Sequence, residues 1–316
     1  MKPKSLLIIG CTGFIGRSIL KYLSNRDFLK IKINKIFILS RGKLKIGIYY
    51  QKLKKKYKII KVNSNLLKIK KLPIVDYVIY AAILQNYKKD YQAVKKYLDL
   101  AKKYHAKSKI LYVSSGAVYG KQLNKNLGFQ ESYLTFNKKI NFKNGYKKEY
   151  SAIKRRNEKL FEKFGKKFGR VSIARCFSFI GEYLPTNSYF VVGNFIQNVL
   201  NNENINIKAN YEVVRSYMHE EDLVSSLFKI LDYSNKDCPI YNVGSDDAIS
   251  IHKLADLLAK KYNLCVDINN KKNSKKKLDK YVPSITKFRK DFNFYKKLSS
   301  YNAVIKTIHH LKNKKY

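Results

Sequence analysis

Leu6-Leu7-Ile8-Ile9-Gly10-Cys11-Thr12-Gly13-Phe14-Ile15-Gly16 decides the fold class of this 316-residue chain. Four consecutive apolar residues read as a strand buried on both faces. The glycines read as a tight turn, and Ile15, Ile19, Leu20 and Leu23 as one face of the following helix. Such a unit is built to hold a dinucleotide. Gly10 permits the turn, Gly13 lets a pyrophosphate approach the backbone, and Gly16 allows close helix packing. The helix N-terminus faces the phosphate charge. Thr12, Phe14 and Ile15 complete the expected cofactor contacts of this loop.

Working outward, compact apolar runs at 36–39, 58–62, 75–80, 110–114 and 171–174 predict five more strands. Ala93, Val94, Tyr97, Leu98 and Ala101 mark a helix between the fourth and fifth, and a long helical period runs over 146–163. Repeated strand–helix alternation implies a parallel sheet. The stretch 43–56 fixes no boundary. Further helices are expected over 192–200, 221–231 and 251–262, the last opened by Ser250 as N-cap. Residues 271–277 read as a charged surface loop and 311–316 as a frayed tail. The expected architecture is α/β, a Rossmann-like doubly wound parallel sheet with a smaller mixed α/β substrate lobe. Residues 1–180 form the dinucleotide-binding domain, with 212–245 returning to it, and 181–211 and 246–316 form mainly the lobe.

The 66 basic residues against 22 acidic ones give a formal charge of +44. Only nine are Arg, while Asn numbers 28 and Tyr 26, and Trp is absent, so the skew runs through the whole chain. It reads as drift in an AT-rich coding sequence, and scarce Arg argues against nucleic acid as a partner. A mean hydropathy of -0.40 and the lack of any eighteen-residue apolar run exclude a membrane-spanning helix. The short start leads directly into a strand without a cleavable apolar segment, which points to the cytoplasm. Cys11, Cys176, Cys238 and Cys265 are too scattered for a disulfide framework or a zinc site, and the five His show no ligand grouping; no metal is expected.

The second strand ends in Leu39-Ser40-Arg41-Gly42-Lys43, where an acidic residue would hold the ribose hydroxyls of NAD. Ser40, Arg41 and Lys43 would instead welcome a 2′-phosphate, so NADP(H) is preferred and NAD(H) is the alternative. Tyr150 and Lys154 lie one helical turn apart on one face. Tyrosine is a poor base at neutral pH, but a nearby ammonium and a nicotinamide charge favour its phenolate. That pairing suits hydride transfer at a carbon bearing oxygen, with Ser114 and Ser115 ending strand five as hydroxyl donors to the same oxygen.

With these motifs, together with Val113-Ser114-Ser115-Gly116-Ala117-Val118-Tyr119-Gly120, residues 215–222 and Tyr241-Asn242-Val243-Gly244-Ser245, the chain resembles the extended short-chain dehydrogenase/reductase family, in its nucleotide-sugar epimerase, dehydratase and ketoreductase branch. The resemblance implies Ser115, Tyr150 and Lys154 as catalytic residues, with Lys154 on the nicotinamide ribose. It implies cofactor contacts at Asn65, Leu66, Ala81 and Ala82. Substrate contacts are implied at Ser115, Gly116, Ala117, Ser178, Asn194 and Arg215, the last meeting the diphosphate, while Asp222 orders its region. A nucleotide-diphosphate sugar is the implied substrate and a homodimer the implied assembly. The branch's 4,6-dehydratases carry an Asp-Glu pair where this chain has Gly116 and Ala117, which disfavours dehydration. Reduction of a 4-keto-6-deoxy sugar with NADPH is the first expectation, and 4-epimerisation with bound NAD the second.

Overall fold

In the computed structural model, residues 3–28, 31–40, 44, 46–122, 128–133, 145–185, 190–209, 211–268, 278–295 and 297–313 are described. They divide into two compact units. The first comprises 1–120, 134–176 and 224–243, and the second 121–133, 177–223 and 244–316.

The first unit is built on a seven-stranded parallel sheet. Its strands are β1 (Lys4–Ile9), β2 (Ile33–Ser40), β3 (Lys58–Asn63), β4 (Tyr77–Tyr80), β5 (Lys109–Ser115), β6 (Arg170–Cys176) and the edge strand Ile240–Val243. The spatial order runs Ile240–Val243, β6, β5, β4, β1, β2, β3, every neighbouring pair parallel. After β3 the chain crosses back over β1 to place β4 on its other side, so the winding reverses between β1 and β4. This confirms the Rossmann-like α/β class. The apolar run Leu6–Ile9 is fully buried, as a central strand covered on both faces requires.

Helix α1 (Phe14–Asn25) buries Ile19, Leu20 and Leu23. The stretch that set no boundary in the sequence contains α2 (Ile48–Lys56), anchored only by Tyr49 and Leu53, one turn apart; so thin an apolar stripe among lysines carries little periodic signal. Helices α3 (Tyr87–Tyr104) and α4 (Gly145–Phe168) cover the other half of the sheet. Between them and the sheet sits an aromatic core in which Tyr112 stacks on Phe161 at 4.4 Å and Tyr80 meets Tyr97 at 5.1 Å.

The second unit holds α5 (Val191–Asn201), α7 (Ile251–Tyr262) and the helix Ser300–Lys312 around a small mixed sheet of Glu212–Arg215, Ile249–Ser250 and Leu278–Tyr281. Ser250 caps α7 as its sequence suggests, its hydroxyl accepting from the Lys253 amide at 3.1 Å. Helix α6 (Glu220–Asp232) follows the strand Met218–His219. Residues 212–223 cluster with this unit, although they were expected with the sheet. The charged loop 271–277 and the residues beyond Asn313 lie outside the described residues. Among the described residues no helix is long and apolar enough to cross a membrane, and no group of three potential metal ligands occurs.

Candidate active site

At the winding reversal the carboxyl ends of β1, β2 and β4 and the loop after β3 enclose a cleft of about 190 Å³. Gly10, Thr12 and Gly13, then Ser40, then Asn65 and Leu66, then Ala81 and Ala82 line it, uniting most of the expected cofactor residues at the position where open α/β sheets take ligands. Gly10 has φ +90°, and a Cβ on it would stand 2.6 Å from the Ala82 amide nitrogen. At Gly16 a Cβ would run into the Gly10 carbonyl and the Cys11 backbone. Gly13 is different. The nearest atom to a Cβ there is the Gly10 oxygen at 3.6 Å, so its outer face is open to a ligand. Gly13 also starts α1, which has neither a capping side chain nor an acidic residue in its first turn. Its positive dipole end suits a pyrophosphate. The open backbone, the uncapped helix and the small-residue lining all fit a dinucleotide.

Phe14 and Ile15 are half-buried in the first turn of α1. The Asn65 side-chain oxygen accepts from the Leu67 amide at 2.9 Å, closing a turn that shapes the cleft wall. Arg41 and Lys43 lie outside the described residues.

Ser115 ends β5 and caps a single 3₁₀ turn, Gly116–Tyr119, its hydroxyl accepting from the Ala117 amide at 3.2 Å. The phenol of Tyr150 on α4 lies near this hydroxyl, which pulls the phenol's pKa down. One turn further, Lys154 is 5% exposed; its Nζ donates to the Val113 carbonyl at 3.0 Å and stands 5.1 Å from the Tyr112 ring centroid. Burial lowers the Lys154 pKa, opposed by the charges of Asp90, Cys176 and Glu158. Burial pushes the Tyr150 phenol up to about 12, against the opposing pull of Ser115. The sequence expects the ammonium to favour the phenolate; in the protein's own geometry burial outweighs it, and Tyr150 holds its proton at neutral pH.

Behind this trio lies a polar network absent from the sequence expectations. Ser114 donates to Glu158 Oε1 at 2.5 Å, and Arg175 on β6 pairs with Glu158 Oε2 at 2.8 Å. Arg175 Nη1 donates to Tyr119 Oη at 2.9 Å, Tyr119 donates to Asn242 Oδ1 at 2.7 Å, and Arg155 Nε donates to the Val118 carbonyl at 2.7 Å. The segment bearing Ser115 is thereby anchored at both ends. Glu158 sits one turn after Lys154, and Arg175 interrupts an apolar strand; those spacings were the available signal.

Ser178, Asn194 and Arg215 belong to the second unit. The Ser178 carbonyl accepts from the Met218 amide at 3.1 Å, and Asn194 is half-buried on α5. Arg215, expected to meet a diphosphate, is engaged by Asp279: Nη1 donates to its carbonyl at 2.7 Å and Nη2 to Oδ2 at 3.0 Å. Asp222 accepts from the Lys297 amide at 3.3 Å, an ordering contact.

Against this geometry the sequence profile of the NAD dependent epimerase/dehydratase family matches residues 6–244. The chain belongs to that family. A curated family relative, the dTDP-D-glucose 4,6-dehydratase of Dictyostelium discoideum, is 28% identical over 273 residues, 78% of this chain and 59% of its own length. The chain thus spans under two thirds of that relative. Among solved structures, the dTDP-glucose 4,6-dehydratase of Bacillus anthracis in complex with NAD shares the fold with a TM-score of 0.78 at 16% identity, over 99% of this chain and 98% of its own. The UDP-N-acetylglucosamine 4-epimerase of Methanobrevibacter ruminantium, in complex with UDP-N-acetylmuramic acid, superposes with a TM-score of 0.77 at 20% identity, over 99% and 100% of the two chains. As an epimerase/dehydratase family member the chain is an enzyme of the extended short-chain dehydrogenase/reductase type.

Proposed function

We propose that this enzyme carries out oxidoreduction at C4 of a nucleotide-linked sugar, with 4-epimerisation on bound NAD as the first reading. The observation that carries it is the juxtaposition of Ser115 and Tyr150 in the unit that holds the dinucleotide cleft, with no acidic side chain at Gly116 or Ala117. A dehydratase must protonate a leaving hydroxyl, and these two positions offer no acid for it. NAD supplies the hydride acceptor and donor when bound. Gly10, Gly13 and the α1 N-terminus seat its pyrophosphate, and Lys154 holds the nicotinamide ribose. Ser115 holds the C4 oxygen, and Tyr150 removes and returns the proton on it. The bound cofactor's positive charge must draw the Tyr150 pKa down for the removal step. Ser178, Asn194 and Arg215 take the nucleotide-sugar, for which Arg215 must share its guanidinium between Asp279 and the diphosphate.

A second reading is 4-ketoreduction with NADPH. Arg41-Gly42-Lys43 favours it by offering charge to a 2′-phosphate, and so does a phenol that stands protonated, ready to give its proton to an oxygen receiving hydride. Incubation with a panel of UDP- and dTDP-sugars separates the two. Interconversion of C4 epimers without net change in cofactor absorbance is the expected result. Stoichiometric NADPH oxidation on 4-keto-6-deoxy sugars selects the reductase instead. Either activity must vanish in Tyr150→Phe, and its survival there rejects both.

A further inference from the structure

Tyr150 does not stand alone at the top of α4. Tyr146, one turn earlier, lays its ring nearly parallel to that of Tyr150, at an interplanar angle of 9° and a centroid distance of 6.5 Å. From the first turn of α3, Tyr87 closes on both, 6.2 Å from the Tyr150 ring and 6.0 Å from that of Tyr146. The Tyr87–Tyr146 ring contact joins the two helices above the reactive residue. Tyr146 is nevertheless 73% exposed. A large aromatic ring left in water at a helix start contributes little to the core. Its placement is explained by what it touches.

We propose that Tyr87 and Tyr146 are positioning residues for Tyr150, a pair whose rings fix the orientation of the reactive phenol and keep water from its flank. The inference rests on the reading of Tyr150 as the proton-exchanging residue. Other groups act on Tyr150 from the elements packed around it: Ser115 at the end of β5, Cys176 at the end of β6 and Asp90 on α3; Lys154 follows on α4, and Glu149 faces Tyr87 from the same helix. None of these supplies an aromatic wall. Ring contacts of this geometry are weak singly and directional together.

Nitration of Tyr150 by tetranitromethane, mapped by mass spectrometry at fixed pH, reads its exposure and phenolate fraction without any substrate. In Tyr146→Ala the Tyr150 nitration rate should rise about three- to tenfold, since one unit of pKa is tenfold in phenolate. Tyr146→Phe, which keeps the ring, should remain near wild type. An unchanged rate in Tyr146→Ala overturns the proposal, as does an equal rise in both variants, which would assign the effect to the lost hydroxyl. Because Tyr146 is mostly exposed, unchanged thermal melting is expected and checks the fold. In the turnover assay the same Ala variant should lose about three- to tenfold in kcat with KM for the nucleotide-sugar unaltered, and Phe should restore it; loss in KM alone overturns a positioning role. If nitration responds as expected while even the wild type turns over no nucleotide-sugar, the C4 reading fails and the shielding stands.

Discussion

Glu158 on α4 and Arg175 on β6 form an ion pair with Oε2 and Nη2 2.8 Å apart, their side chains 0% and 2% exposed. Glu158 also holds Ser114, and Arg175 also holds Tyr119, so the pair ties the helix that carries Tyr150 and Lys154 to both flanks of Ser115. Removing one partner strands the other charge in the interior, at a cost of roughly 3–5 kcal/mol. Glu158→Ala should therefore show a loss of that order in urea unfolding. A change under about 1 kcal/mol would mean that water reaches Arg175 and satisfies it.

Gly10 is the glycine whose replacement should act on the cofactor most directly. Its φ of +90° is strained for any other residue, and the new Cβ would press on the Ala81–Ala82 peptide that forms the cleft wall. Gly10→Ala is expected to weaken dinucleotide binding at least tenfold by calorimetric titration and to destabilise the fold by about 1–3 kcal/mol. Undiminished binding would remove this cleft as the dinucleotide site.

His105 is fully buried, Nε2 donating to the Pro73 carbonyl at 2.9 Å and Nδ1 accepting from Tyr97 at 3.2 Å. Burial lowers its pKa from 6.5 to about 4. Above the higher value both folded and unfolded chains carry it neutral. Between the two, only the unfolded chain gains the proton, so stability falls as pH drops from 6.5 towards about 4 and levels off below. The full loss is on the order of 3 kcal/mol. Denaturation midpoints across this window should flatten in His105→Gln relative to wild type; an equal slope in both assigns the acid sensitivity elsewhere.

Asp90 is 2% exposed and accepts from the Leu84 amide at 2.7 Å and from Asn157 Nδ2 at 2.9 Å. Its charge supports the protonated state of Lys154, against the burial that lowers that pKa. Asp90→Asn keeps an acceptor for Leu84 and, once the Asn157 amide turns, gives the unpartnered Asn157 Oδ1 a donor. Lys154 then loses an anion, and the alkaline limb of a pH–rate profile should move to lower pH. A limb that stays in place shows that Lys154 does not sense this carboxylate.

The sheet was legible because each central strand is a short uninterrupted apolar run, and the turn at Gly10–Gly16 was legible because its backbone demands those glycines at those places. Helix α2 was not, since Tyr49 and Leu53 alone bury among exposed lysines. The family resemblance singled out Ser115; Tyr150 and Lys154 could be named from order and spacing, and Ser114 and Ser115 from their place at a strand end. Their supports could not. Glu158, Arg175 and Asp90 are charged residues in a chain rich in charge, and only packing shows which of them are shut away from water. Arg215 marks a different limit: the sequence offers a guanidinium for a phosphate, and the fold brings Asp279 to it first.

The scatter of cysteines has a practical consequence. Cys11, Cys176 and Cys238 are buried, and burial pushes the Cys176 and Cys238 thiols up to about 12, so all three stay protonated and out of reach of a maleimide. Cys265, just before the strand Val266–Ile268, is exposed. The native chain thus carries a single chemical handle, placed in the unit that bears Arg215 and Asn194. A dye attached there can test the proposed nucleotide-sugar binding by fluorescence without any engineered substitution.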